Sequence, residues 1–251
     1  MKAGIFVDCE NLNRCGGWNL RYDVLRRFVE AQGATVLRAN AYLAQDVERE
    51  EHDPEYRSKK RRYRHQLRSF GFKLVTKPVQ RFYDEDGNER TKANADLELA
   101  VDALLQGRGL EYVVIASGDG DFSRLVRALQ DHGCRVDVLG FDFVSRELRE
   151  SADHFHLGYL LPDLVPVPEG RECGYLVRCN ADRTYGFIRH LTSLEGHDEE
   201  LFFHRSEVVD GESPDQLFDM LSRPHAIEYT RGSDERGRPI ARRVSLTSPR
   251  R

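Results

Sequence analysis

No apolar run in the sequence approaches the ~20 residues of a membrane-spanning helix. The opening apolar stretch meets an acid at Asp8 and is too short for a signal peptide, so a soluble cytoplasmic protein with no membrane partner is expected. Cysteine is sparse: Cys9, Cys15, Cys134, Cys173 and Cys179 form an odd set with no Cys-x-x-Cys pair, which argues against a disulfide framework and against a zinc site. Excess positive charge is lacking too. Lys and Arg total 38 against 42 acids, a net charge of −4, which excludes a uniformly basic, histone-like binder. Lysine itself is scarce, with 6 Lys beside 32 Arg. Arg grips phosphate with a planar fork and stacks on bases, but a GC-rich genome produces the same bias, so placement has to decide. There is no internal repeat. What is present, 39% hydrophobic and 10% aromatic residues in 251, is enough for a core and for one large domain or two unequal ones.

Residues 3–7 form a continuous apolar run, the mark of a strand buried on both faces. The pattern then predicts a helix over 20–30, a strand over 34–43, a helix over 55–70 and a short strand over 72–75. A turn is expected around Asp86-Gly87, with a helix over 95–106 capped by Asn94. A strand over 112–116, a helix over 121–132 and a strand over 134–141 follow. Such alternation specifies an α/β fold with a mostly parallel, Rossmann-like sheet and helices on both faces. In such sheets ligands bind beyond the carboxyl ends of the strands. Three prolines in 161–170 mark a semi-rigid linker. From 171 onward short strand-like runs separated by turn residues predict a small all-β module.

Four carboxylates fall where a parallel sheet gathers side chains. Asp8 ends the first strand. Asp119 and Asp121 lie in Ser117-Gly118-Asp119-Gly120-Asp121-Phe122, just past the 112–116 strand. Asp96 opens the 95–106 helix. On a helical wheel Leu97, Val101, Leu104 and Leu105 make one apolar arc, with Asp96 about 100° from Leu97 at its margin and Asp102 on another side. Converging carboxylates repel one another and raise each other's pKa, a cost that a hard cation such as Mg²⁺ or Mn²⁺ offsets. Such ions activate water against a phosphodiester. Asp121 also has a structural reading, as cap of the following helix.

Asp8-x-x-Asn11, Lys92-Ala-Asn-Ala-Asp96-Leu-Glu-Leu-Ala-Val-Asp102-Ala, and Ser117-Gly-Asp119-Gly-Asp121-Phe with Gly133-Cys-Arg-Val-Asp-Val resemble, in that order, the NYN domain, the LabA-like branch of the PIN-like nucleases. The resemblance covers roughly residues 1–160. It implies a PIN-like fold and a metal-dependent ribonuclease with Asp8, Asp96, Asp119 and Asp121 as catalytic and metal-binding acids and Asn11 as an accessory polar group. A phosphatase of the haloacid dehalogenase type is disfavoured because it requires Asp-x-Asp after the first strand, where this chain has Asp8-Cys9-Glu10.

From Arg57 to Arg81 there are ten Lys or Arg and no acid. In the 55–70 helix Tyr56, Tyr63, Leu67 and Phe70 form the packing seam, and Arg57, Arg61, Arg64 and Arg68 share an arc of about 60° beside it. Cations at i,i+4 repel unless a polyanion lies across them, and a nucleic-acid backbone is the simplest one.

Residues 171–247 resemble a cold-shock domain, an OB-type barrel that binds single strands. Tyr185-Gly186-Phe187-Ile188 matches its first RNA-binding motif and Phe202-Phe203-His204 its second; Arg178 and Cys179 replace an aromatic pair of that family. Residues two apart in a strand share a face, so Tyr185, Phe187, Phe202 and His204 are expected to form a base-stacking platform, with Arg183 beside it and Phe203 inside. The expected organisation is therefore a nuclease domain over 1–160, a linker over 161–170 and an RNA-binding barrel over 171–251. Single-stranded RNA is the expected partner, and a homodimer is left open. A non-catalytic RNA-binding regulator with the same fold is the alternative.

Overall fold

β1 (Lys2–Asp8) is buried from Ala3 onward, which only a strand flanked on both edges and covered on both faces can be. This computed structural model describes residues 1–83, 89–209, 213–219, 221 and 226–247, with backbone alone at 83 and 89–92. The turn expected at Asp86-Gly87 lies outside the described residues. After β1 come α1 (Cys9–Arg14), α2 (Tyr22–Ala31), β2 (Thr35–Gln45), α3 (Val47–His52), α4 (Pro54–Ser69) and β3 (Lys73–Pro78). The hairpin β4 (Gln80–Tyr83) and β5 (Glu89–Lys92) follows, then α5 (Asp96–Gly107), β6 (Tyr112–Ala116), α6 (Ser123–Asp131), β7 (Arg135–Gly140), α7 (Arg146–Ser151) and β8 (His154–Leu157).

Six of these strands form one sheet in the order β3-β2-β1-β6-β7-β8, and the pairings from β3 through β7 are parallel. The chain winds from β1 outward through β2 to β3, then returns to the centre and winds the other way from β6. β1 and β6 therefore flank the topological switch point, where side chains beyond the strand ends can converge.

The chain divides into two compact units, Met1–Cys15 with Gln32–Phe155 and Gly16–Ala31 with His156–Arg251. In the first, the core collects Phe6, Val113, Ile115, Val126, Leu129 and Val138. Fully burying side chains of this kind stabilises by about 1.5–3 kcal/mol each. In the second, a closed barrel runs β10-β11-β13-β12-β9, built from β9 (Glu172–Cys179), β10 (Tyr185–Leu191), β11 (Asp198–His204), β12 (Ile227–Ser233) and β13 (Pro239–Leu246). Its core holds Leu176, Ile188, Leu201, Phe203, Tyr229 and Val244. The six-residue α8 (Pro214–Asp219) adds Leu217 and Phe218. The expected α/β fold, a mostly parallel sheet with flanking helices, and the small barrel both stand.

Three local expectations are corrected. Most of the apolar arc assigned to α5 faces outward: Leu97 is 71% exposed and Leu105 60%, while Leu104 packs on the core and Leu99, Ala103 and Gly107 are buried. Both stripes have i,i+4,i+8 spacing, and the one with small residues wins because it permits closer approach. A Cβ on Gly107 would lie 2.5 Å from Leu129 Cδ2. Asp96 stands in line with Leu99 and Ala103 at i+3 and i+7, so the same rotation turns it inward. The second correction concerns Arg64, which does not belong to an unpaired cationic face. It makes a bidentate pair with the buried Glu50 of α3, a helix absent from the sequence reading. Lastly, Asp121 does not cap α6. Asp119 caps the intervening 3-10 turn Gly120–Phe122, and α6 begins at Ser123 without a side-chain cap.

Candidate active site and nucleic-acid interfaces

Asp8 closes β1 where the chain turns into α1, and both of its oxygens are engaged. The Asn11 N–H donates to Oδ1 at 3.0 Å, and the Ser117 hydroxyl donates to Oδ2 at 3.1 Å. Ser117 belongs to the loop after β6. Its Oγ accepts from the Asp119 N–H at 3.2 Å, and Asp119 Oδ1 accepts from the Asp121 N–H at 3.0 Å. Asn11 completes the lacing, its Oδ1 accepting from the Gly118 N–H at 2.8 Å. Glycine at 118 leaves room for this approach, since a Cβ there would lie 3.3 Å from both Asn11 Oδ1 and Val144 Cα. Two loops more than 100 residues apart in sequence are thus held in one register by hydrogen bonds.

Asp8, Asp96 and Asp119 line one polar cavity of about 270 Å³, together with Glu10, Arg14 and Asn94. Asp96 enters from the first turn of α5, its N–H donating to Asn94 Oδ1 at 2.9 Å. Asn94 thus caps the helix as expected, one residue ahead of the formal cap position Ala95. Asn11 acts from behind the cavity as the clamp on Gly118. Asp121 is exposed and does not line the cavity. Asp102 accepts from the Tyr42 hydroxyl at 3.0 Å and is not part of the lining.

Sequence reasoning missed Glu10 and Arg14 as cavity residues. Their i,i+4 spacing after Asp8 was visible, but without α1 there was no reason to put them on one face. Glu10 Oε1 accepts from the Ala44 N–H at 3.4 Å, and the Arg14 Nε donates to the Glu10 carbonyl at 3.3 Å.

Burial pushes the Asp8 carboxyl above its ordinary range, and nearby Asp96 adds to the rise; the Asn11 N–H, the Ser117 hydroxyl and Arg14 oppose it. Asp96 is raised as well, first by burial and then by the charges of Asp119 and Asp121, against Asn94 and Arg14. Asp8 and Asp96 are thus each destabilised as carboxylates by burial and by the charge of a neighbouring acid. Among the described residues, no group of three or more His, Cys, Asp or Glu stands close enough to hold a metal ion in its present placement.

On α4, Arg57, Arg61 and Arg68 are exposed, and among the described residues none has an ion-pair partner. Asp53 caps this helix through the Tyr56 N–H, with Pro54 in its first turn. Leu67 is fully buried, whereas Tyr56, Tyr63 and Phe70 are only half-buried, so the predicted seam is narrower than its four residues suggested.

On the barrel, Tyr185 pairs with His204 and Phe187 with Phe202 across β10 and β11. The three rings of Tyr185, Phe187 and Phe202 cluster with centroids 5.6–6.1 Å apart. Tyr185 and Phe202 are more than a third exposed, and Phe203 is buried. The Arg178 guanidinium lies 3.8 Å over the Phe187 ring while its Nη2 pairs with Glu200 at 2.9 Å. A cation thus occupies one face of the Phe187 ring. Arg183 pairs with Asp219 at 2.8 Å, and His204 accepts from the Ser206 N–H, capping a short 3-10 turn. Within the described residues no helix is long and apolar enough to cross a membrane.

Comparison with known proteins follows the same outline. The Low amplitude and bright protein LabA of Synechococcus elongatus is 33% identical over 98 residues, 38% of this chain and 53% of LabA, so the chain spans about half the length of that curated relative. A crystal structure of VPA0982, a protein of unknown function from Vibrio parahaemolyticus, superposes with a TM-score of 0.50 at 30% identity, covering 62% of this chain and 91% of that one. The NYN domain matches residues 2–161, which contain all three acidic motifs, and the chain belongs to the NYN domain family.

Proposed function

We propose that this chain is a divalent-metal-dependent ribonuclease that hydrolyses phosphodiesters of single-stranded RNA. Residues 1–160 are the catalytic domain, 161–170 the linker and 171–251 a cold-shock-like module that assists RNA binding. The observation that carries the reading is the meeting of Asp8, Asp96 and Asp119, from three separate elements, in one polar cavity at the switch point of a parallel sheet.

The donor set suits Mg²⁺ or Mn²⁺: hard carboxylate oxygens whose mutual repulsion a cation would relieve. Asp8, Asp96 and Asp119 would hold the ion, with Asp121 adding charge from the exposed side of the same turn. When bound, such an ion polarises the phosphoryl group and lowers the pKa of a water. The protein's own groups do the rest. Asp8 is fixed by two hydrogen bonds and cannot swing away. Arg14 sets a positive charge in the cavity wall against the phosphate. Arg57, Arg61 and Arg68 attract the RNA backbone, and Tyr185, Phe187, Phe202 and His204 offer faces for bases.

The test is cleavage of labelled single-stranded RNA with Mg²⁺ or Mn²⁺ by the wild type and by Asp119→Asn. Metal-dependent cleavage lost in the variant supports the reading, and equal cleavage by both overturns it. For the barrel, Phe187→Ala with Phe202→Ala should weaken RNA binding about thirtyfold or more, at ~1–3 kcal/mol per stacked base. Unchanged affinity rules out the stacking platform.

The absence, among the described residues, of a closed three-acid group favours a second reading, a non-catalytic RNA-binding regulator. The two differ in a thermal-shift titration. A working metal site raises Tm with Mn²⁺ by mass action, and a regulator without one shows no rise.

A further inference from the structure

Phe143 combines two unfavourable features. Its ring is 82% exposed, and its backbone has φ of +58°, a left-handed conformation that bulky residues rarely adopt. No ring contact or cation partner engages it among the described residues.

The loop that carries it is built against the acidic turn. The Ser145 N–H donates to the Gly118 carbonyl at 2.9 Å, and the Asp142 N–H donates to the Cys15 carbonyl at 2.8 Å. Glycines form the floor. A Cβ on Gly140 would lie 2.4 Å from Val144 Cγ2, and one on Gly120 would lie 2.7 Å from Ser145 Oγ. Val144 and Ser145 therefore press onto the backbone that presents Asp119, and the neighbouring Phe143 ring is exposed to solvent. Phe143 is two residues from Ser145, whose N–H donates to the Gly118 carbonyl, and Gly118 is one residue from Asp119. A flat apolar face thus stands on a loop hydrogen-bonded to the candidate catalytic turn.

We propose that Phe143 is a stacking post for a nucleobase next to the phosphodiester held in the acidic cavity, and so a determinant of how single-stranded RNA is placed for cleavage. The proposal rests on the ribonuclease reading only for the word cleavage; the stacking contact itself needs no turnover. A ring in the open is available to any base, so recognition is by stacking strength and favours purines. The left-handed backbone costs stability, and no intramolecular contact of the ring returns it.

Phe143→Asn tests this cleanly, because Asn tolerates the left-handed region and removes the ring. Its Tm is expected at or above that of the wild type. Its KM for a short oligoadenylate should rise about 5- to 100-fold, and the preference for oligoadenylate over oligouridylate should shrink. A lowered Tm, or an unchanged KM with unchanged base preference, overturns the proposal.

A second readout is independent of catalysis. Trp18 is the one tryptophan, so Phe143→Trp with Trp18→Phe places a single reporter on the loop. In an Asp119→Asn background, stacking of oligoadenylate should quench its emission saturably. RNA that binds, by anisotropy, without quenching overturns the stacking post. Quenching by a protein whose wild type cleaves nothing keeps the post and discards the ribonuclease.

Discussion

Exchanging Asp8 for Asn is expected to lower RNA hydrolysis by about a hundred- to a thousandfold while raising Tm at neutral pH. The two effects share one cause. Asn is nearly isosteric and its Oδ1 can still accept from the Asn11 N–H, so the turn into α1 survives. What disappears is a carboxylate that burial and Asp96 hold above its ordinary pKa. In the unfolded chain that group ionises near the ordinary aspartate value of 3.8. In the folded chain it ionises at higher pH. Below the unfolded pKa both states are protonated and Asp8 carries no penalty. As pH rises through the interval between the two values, the unfolded state gives up its proton first and the fold loses stability, a loss complete above the folded pKa. The Tm advantage of Asp8→Asn should therefore be present at pH 7 and vanish below about pH 4. Mn²⁺ should raise the wild-type Tm and close the gap. A series of melts from acid to neutral pH, with and without Mn²⁺, beside a cleavage assay, checks all of this. A variant less stable at pH 7 would show that Asp8 is retained for the structure of the turn rather than for charge.

The arginines of α4 should separate into two groups. Replacing Arg57, Arg61 and Arg68 by Gln removes three exposed cations without described carboxylate partners, so Tm should stay within a degree or two. RNA affinity should fall, and the slope of log affinity against log salt should drop by about 2, at roughly 0.7 per phosphate contact on a single strand. Arg64→Gln should do the reverse. It strands the buried Glu50 carboxylate, whose low pKa depends on that guanidinium. The loss is about 2 kcal/mol for a charge-assisted bond, and lowers Tm by roughly 4–8 °C for a chain of this size. The salt slope should barely move. Salt-series binding and melts of the two variants decide it, and a large slope change in Arg64→Gln would mean that the pair with Glu50 opens to RNA.

Much of this molecule is legible in its residue order. The strands at β1, β6 and β7 are continuous apolar runs, which only burial on both faces permits, and their alternation with helices specifies a parallel sheet. The positions of Asp8 and Asp119, at the ends of two such strands, follow from the same runs. The inward placement of Phe203 between Phe202 and His204 follows from the two-residue repeat of a strand. Short elements such as α1, α3 and α7, six residues each, were not legible, because so few residues do not establish a period. Arg64 and Glu10 were misjudged for that reason: their partners or faces belong to those elements.

What the sequence determined by itself is local, namely which segments are strands, which acids end them, and where α/β gives way to a barrel. Strand order, the choice of face on α5 and the pairing of Arg64 were decided by tertiary structure. Strand order is set by how the crossovers pack, which brings β1 beside β6 although they are more than 100 residues apart. The face of α5 was open because both its stripes are apolar, and only the close approach of Gly107 to Leu129 selects Leu99 and Ala103. That selection carries Asp96 into the cavity, since a helix has one rotation and every residue on it must accept the choice made by the tightest contact.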